Sequence, residues 1–351
     1  MIEKGNKYGT HRVISPEGVL TQAAQKINND MGKLYSNEII CDVISLNIDS
    51  ASFTQIKEAC KNCQGQPDRE KIREMIFSIV NERGKMQNPV TGSGGMFIGK
   101  VAYIGEDLKD RDLKVGDTIA SLVSLSLTPL NIEEIKEIHL DIDRVDVKAK
   151  AVLFESGIYA KLPCDMSEAL ALAALDVAGA PAQAAKLIKP GDSVLILGAN
   201  GKSGVLCGYE AVKRSGPTGN VVGMVRSDEK GKELLDLGVC HKYILSDATK
   251  PVELMDKALL ANGGREYDIS ISCVNVANCE MSAILPVRNG GTVYFFSMAT
   301  SFTKAALGAE GAGKDVMMIV GNGYTKDHAE ITLSVLRESK KIRDLFNEKY
   351  I

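Results

Sequence analysis

The rhythm of hydrophobic and polar positions changes near residue 165. Before that point, short apolar runs between glycines and polar turns predict strands at 38–48, 95–104 and 117–123. Residues 145–153 alternate apolar with polar, as a half-exposed strand does, whereas 69–81 space their apolar residues at helical intervals. This half reads as α+β and mostly β. Beyond it, helix and strand patterns alternate. An Ala-rich helix is predicted over 167–187, broken at Gly179–Pro181, and a turn at 190–192 leads into the apolar run 193–197. Helices near 203–215, 228–237 and 252–261 then interleave with strands at 220–225, 243–245 and 268–274. A further helix, strands at 291–297 and 316–320, and a helix at 327–336 complete the chain. That alternation predicts an α/β fold with a parallel, doubly wound sheet and a ligand at the carboxyl ends of its strands.

The first of those strands runs into a glycine loop, VLILGANGKSG, residues 194–204. Gly198 suits the tight turn, Gly201 allows the backbone to approach a phosphate, and Gly204 allows helix to pack on sheet. Asn200, Lys202 and Ser203 fill the rest of the loop, where unpaired N–H groups and the helix dipole favour an anion. This Rossmann pattern predicts a nicotinamide dinucleotide cofactor. At the end of the second strand, where an acidic residue would select NAD, the sequence has Val225, Arg226 and Ser227, with Lys230 one turn on. These groups suit a 2′-phosphate, so NADP is favoured over NAD. The later strand ends, Cys273, Val274 and Asn275, then Ser297 and Met298, then Gly321 to Gly323, are expected around the nicotinamide half.

Composition narrows the field. A chain of 351 residues exceeds one ordinary core, so two domains are expected. The net charge of −3 comes from mixed signs without a basic run, which argues against a nucleic-acid partner. The longest apolar stretch, 170–182, is Ala-rich and interrupted by Asp176, so no membrane span is expected. The polar residues 1–7 lack a signal-peptide core, and a cytoplasmic protein is expected. Cys60 and Cys63 form a CxxC with no second pair to complete a zinc ribbon.

Four strings, VGDTIA (115–120), DVAGAPAQAAKL (176–187), the glycine loop with its preceding turn, and EKGKELLDLG (229–238), resemble the medium-chain dehydrogenase/reductase superfamily. The resemblance implies a β-rich, GroES-like substrate domain over 1–166, a Rossmann domain over 167–323 and a C-terminal helical segment over 324–351. It also implies an active site in the cleft between the two domains, and a homodimer formed through an edge of the dinucleotide sheet. The stretch 88–99 lacks the His-containing motif of zinc-dependent members, and Asp49 stands where their first ligand is usual. No metal is therefore expected. Within this group, HRVISPEGVL (11–20), NIDSASFTQI (47–56) and RGKMQNPVTGSGGMFIG (83–99) resemble the family of L-erythro-3,5-diaminohexanoate dehydrogenases. That resemblance implies oxidative deamination of the diamino acid at C3 to 5-amino-3-oxohexanoate and ammonia.

Such a reaction needs a base for the C3 amine, acceptors for the other ammonium, and donors for the carboxylate. Asp49, Asp176 and Lys85 are the catalytic candidates. Asp49 equally suits a turn-capping role, and Asp176 interrupts an apolar helix, which is costly unless it is paired or functional. Ser50, Ser52, Arg83, Asn88, Thr91 and Ser93 are candidate substrate contacts, and His11 is the one histidine in the resembling strings. Two other readings stand: a zinc-free NADPH-dependent enone or quinone reductase, and a non-catalytic NADPH-binding sensor.

Overall fold

The computed structural model describes residues 2–321 and 323–351, in two compact units, Met1–Pro163 and Cys164–Ile351. The first unit contains, in order, β1 (Val13–Ser15), β2 (Lys26–Ile27), β3 (Glu38–Asn47), α1 (Ser50–Ala59), α2 (Arg69–Arg83), β4 (Met96–Ile104), β5 (Thr118–Ser121), β6 (Leu130–His139), β7 (Arg144–Phe154) and β8 (Tyr159–Lys161). Strands β1 and β2 pair with each other, and the rest form an antiparallel sheet ordered β6-β7-β3-β4-β5-β8. A register shift between Val43 and Ser45 changes which positions of β3 face the core. Ile39, Cys41 and Val43 are buried in the core before it, and Leu46 and Ile48 after it. Asp49 and Asp68 cap the two helices, and α2 stops where Gly84 turns left-handed at φ 73°.

Besides the short strands β1, β2 and β8, two longer elements of this unit are absent from the sequence pattern. The polar run 50–59 forms α1, and β6 carries register shifts after Ile132 and after Ile135. Those shifts stretch the interval between its buried positions, Ile132, Ile135 and Ile138, from two residues to three. At the N-terminal end, the guanidinium of the buried Arg12 is bidentate to Glu38, at 2.6 Å on each arm, and His11 adds a third contact at 2.8 Å. Burial pushes the Glu38 carboxyl up, but Arg12 and His11 outweigh it and hold it below its usual range. His11 also packs edge-on against Tyr35 and Phe154, so its role is structural.

The second unit runs α3 (Glu168–Leu175), α4 (Gly179–Leu187), β9 (Ser193–Leu197), α5 (Lys202–Ser215), β10 (Asn220–Val225), α6 (Asp228–Leu237), β11 (Lys242–Leu245), α7 (Pro251–Ala261), β12 (Tyr267–Ser272), α8 (Glu280–Ile284), β13 (Val287–Phe295), α9 (Phe302–Ala312), β14 (Met317–Val320), α10 (His328–Glu338) and α11 (Lys340–Tyr350). Its strands are all parallel, ordered β11-β10-β9-β12-β13-β14, the doubly wound order of dinucleotide-binding sheets. Separate apolar clusters cover the two faces, one around Ile196 and Ile271 and the other around Leu195 and Val293.

The predicted long Ala-rich helix divides earlier than expected. It ends at Leu175, and α4 restarts at Gly179, so Pro181 lies in the first turn of the new helix, where a proline costs no hydrogen bond. Residues 324–351 fold onto this unit rather than standing apart. Ile342 and Phe346 of α11 are fully buried in one cluster with Leu170 and Ala174 of α3. Among the described residues no helix is long and apolar enough to cross a membrane.

Candidate active site

In the second unit the carboxyl edge of the parallel sheet gathers the expected cofactor residues. The loop after β9 turns at Gly198, whose φ of 72° is left-handed. Gly201 is the N-cap of α5, and Gly204 lies one turn inside it. A Cβ on Gly204 would come 2.3 Å from the carbonyl oxygen of Gly198, so this glycine permits helix and loop to touch. A Cβ on Gly201 would meet nothing closer than that same oxygen at 3.5 Å, leaving its outer side open. The two positions therefore do different work. One is fixed by packing, and the other is free for an anion at the helix N-terminus.

Lys202 reaches across to Asp176 at 2.9 Å and lies over the Tyr350 ring. Asp176 does not interrupt a helix as predicted. It is the exposed C-cap of α3, and its carboxylate is paired with Lys202, so it needs no buried partner. At the end of β10, Arg226 is exposed, and among the described residues no hydrogen bond or ion pair engages its guanidinium. Ser227 caps α6 by accepting from the Lys230 backbone N–H, while the Lys230 ammonium is held by Glu233 at 3.0 Å. Of the three groups predicted for a 2′-phosphate, Arg226 is thus the one without a hydrogen bond or ion pair, its charge acting only through space on Asp247.

At the next strand ends, Cys273 follows β12 beside Cys207 of α5. Burial drives the Cys207 thiol up, and the hydrogen bond from Cys207 holds the Cys273 thiol below its ordinary value, assisted by Ser203. Val274 packs against Gly198, and Asn275 meets the Ser297 hydroxyl at 3.4 Å. Met298 is 77% exposed. Gly323 has φ 78° and lies so close to Gly179 that a Cβ on Gly179 would come 2.5 Å from it. Asn322, within the predicted 321–323 segment, lies outside the described residues. Sequence reasoning passed over His328, which lies five residues after Gly323, and burial pushes its pKa down. A histidine at a buried helix start gives no periodic signal that could have singled it out.

In the first unit the two polar strings meet. The Asp49 carboxylate accepts the Ser52 backbone N–H at 3.0 Å through Oδ1 as the cap of α1, while Oδ2 is buried without a partner. The Ser52, Thr91 and Ser93 hydroxyls form a triangle with sides of 2.6, 2.8 and 3.1 Å. Asn88 organises the loop beneath it. Its Oδ1 accepts the Val90 and Thr91 N–H groups, and its Nδ2 donates to the Ser52 carbonyl and Gln55. Gly94 fits tightly between Met86 and Ser126, where a Cβ would clash with backbone on both sides.

Three predicted contacts are placed elsewhere. Ser50 donates to Asp143, which also binds Lys57. Arg83 is half-buried and touches Gln87 at 3.4 Å. Lys85 is fully buried, and its ammonium donates to the carbonyls of Thr21 and Gln22 at 2.6 and 3.2 Å, which corrects the expectation of a catalytic lysine. Burial, with Arg83 nearby, lowers its pKa to about 8. Its sequence position beside Arg83 gave no hint that the chain over 21–22 covers it. Among the described residues, Glu137, His139 and Asp146 on β6 and β7 approach within 4.8 Å as possible metal ligands, but Asp146 is already engaged by His139 and Arg144.

The fold, with its parallel sheet and glycine loop in one unit and a β-rich antiparallel sheet in the other, is shared by enoyl and quinone reductases of known structure. Solved structures with this fold include the CurK enoyl reductase, at TM-score 0.51 and 15% identity over 90% of this chain and 81% of that one. The quinone oxidoreductase from Coxiella burnetii matches at TM-score 0.51 and 15% identity, over 87% of this chain and 80% of that one. Residues 11–163 match the L-erythro-3,5-diaminohexanoate dehydrogenase N-terminal domain family. The L-erythro-3,5-diaminohexanoate dehydrogenase of Acetoanaerobium sticklandii is 67% identical over 99% of this chain and all of its own length. Its counterpart from Fusobacterium nucleatum is 63% identical over the whole of both chains. The chain belongs to the L-erythro-3,5-diaminohexanoate dehydrogenase family.

Proposed function

We propose that this dehydrogenase oxidises L-erythro-3,5-diaminohexanoate at C3, releasing 5-amino-3-oxohexanoate and ammonia, with NADP preferred to NAD. The reading is carried by the identity of 67% to a relative of that name along its full length. When bound, a nicotinamide dinucleotide would supply the hydride acceptor for C3. The open side of Gly201 and the N-terminus of α5 suit the pyrophosphate, with Lys202 and Ser203 beside it. Arg226, exposed and without a hydrogen bond or ion pair among the described residues, suits a 2′-phosphate, and this supports NADP. Cys273, Val274, Asn275, Ser297, Met298 and Gly323 line the edge expected for the nicotinamide half.

The substrate amine at C3 must give up a proton before hydride leaves. One water then adds to that carbon, the C–N bond breaks, and the sum is one ketone, one ammonium ion, one reduced nicotinamide and one proton. We assign an amine contact to Asp49, whose Oδ2 has no partner. The Ser52, Thr91 and Ser93 hydroxyls suit the carboxylate and the attacking water. In this proposal the acid–base work falls on side chains without a metal, and the protein acts as a homodimer. Following reduced-nicotinamide absorbance with the diamino acid and each cofactor tests the activity. Folded protein that is inert with both cofactors would sink it. Activity should also survive chelators, and inactivation reversed by zinc would overturn the metal-free mechanism.

A further inference from the structure

Three of the buried, unpaired side-chain atoms among the described residues fall on one run of five: Ser45 Oγ, Asn47 Oδ1 and Asp49 Oδ2. The others are scattered, for example on Tyr103, Ser215 and Ser270. The run begins where the register shift in β3 has just reversed the strand's faces. Leu46 and Ile48 enter the core, and the alternate positions 45, 47 and 49 turn the other way. Gly95, at φ 103°, presses on this segment so closely that a Cβ would come 2.0 Å from the Asn47 carbonyl. Nearby cations are engaged elsewhere: Lys57 with Asp143, Arg144 with Asp146, and Lys85 with Thr21 and Gln22. Among the described residues no cation pairs with Asp49.

Unpaired polar atoms withdrawn from water are costly, and a row of them calls for a donor. Serine and asparagine can present either polarity, but the fixed negative charge of Asp49 decides the matter in favour of a cation. We propose that Asn47 and Asp49, neighbours on one face of the chain, form a subsite for one ammonium group of the substrate, the C5 ammonium that is not oxidised; Ser45, about 13 Å along the extended segment from Asp49, lies beyond reach of the same nitrogen. A set of acceptors around an amine favours its protonated form. The reacting C3 amine must lose its proton, so the row fits the spectator group. It selects a diamine over a monoamine by leaving its own groups unpaired when the second ammonium is missing. This inference rests on the activity proposed above.

The test compares L-erythro-3,5-diaminohexanoate with 3-aminohexanoate, which lacks the C5 amine. In the Asn47→Ala variant the ratio of kcat/KM for the diamine to that for the monoamine should fall at least about tenfold. Asn47→Asp, which keeps an acceptor, should retain the preference. Binding is read separately by calorimetry with 5-aminohexanoate, which carries the C5 ammonium but has no amine at C3. Its affinity should fall at least about tenfold in Asn47→Ala. An unchanged ratio, or unchanged affinity for 5-aminohexanoate, overturns the subsite. Wild-type protein inert toward the diamine overturns the proposed activity instead, while the calorimetry still judges the subsite. Should Asn47→Ala fail to fold, Asn47→Leu, close to asparagine in size but without an acceptor, carries the same comparison.

Discussion

At the scale of single residues, the exposed Arg226 and the buried Lys85 make opposite predictions. Among the described residues Arg226, at the end of β10, has no hydrogen bond or ion pair, while Ser227 and Lys230 are already occupied by a helix cap and by Glu233. Arg226→Ala should therefore weaken NADP by about tenfold or more, the range of a lost charge-assisted contact, and leave NAD within about threefold. Fluorescence titration with both cofactors measures this, and equal losses would show that the guanidinium does not meet a 2′-phosphate. Lys85 affects stability instead. Its pKa is about 8 in the folded chain against 10.5 for an ordinary lysine, so between those limits the unfolded chain binds more protons. The contribution of Lys85 to stability must then rise with pH across that window, by at most about 1.4 kcal/mol per unit. Urea unfolding should show wild type gaining on Lys85→Met between about pH 8 and about pH 10. A constant or shrinking difference would mean that the ammonium is not buried as described.

Elements separate binding glycines from packing glycines within one loop. Gly204→Ala drives a methyl into the Gly198 carbonyl, so it should lower the melting temperature by several degrees and weaken the cofactor. Gly201→Ala meets no such obstacle, so it should melt within about 2 °C of wild type yet bind the cofactor at least about tenfold more weakly. If both variants lose stability alike, the open side of Gly201 does not serve a ligand. The same contrast explains what could be read from the chain. Strands β9 and β10 match their predicted limits because strands buried on both faces are continuous apolar runs punctuated by turns. Strand β6 escaped because two register shifts gave it a three-residue interval, and α1 because its exposed face is polar and its start looked like a turn. Site residues were harder to read. Ser52, Asn88, Thr91 and Ser93 were legible as a polar cluster, but Asn47 and Ser45 depend on which face follows a bulge, and Lys85 on a distant loop that covers it. Neither dependence has a local signature.

For the whole molecule, assembly turns on what meets the free edge of the dinucleotide sheet. Strand β14 pairs only with β13, and its outer side therefore offers backbone groups to a partner. Met317 is 63% exposed and Val320 51%, and the preceding helix α9 adds Phe302 at 52% and Leu307 at 63%. A short edge strand flanked by exposed apolar side chains, with no lysine or proline within it, lacks the usual protection against edge-to-edge pairing. The opposite edge, β11, begins with Lys242 and includes the half-buried Tyr243, which is tied to Asp228. The proposed homodimer should therefore form across β14, a two-fold contact in which the strand meets its own copy. Sedimentation velocity should give a dimer for the wild type and a shift toward monomer for Met317→Lys, because the substitution sets two like charges close together at the joined edges. The matching Lys242→Met change on β11 should leave the dimer untouched. A wild-type monomer, or a dimer that Met317→Lys leaves intact, would remove β14 as the interface.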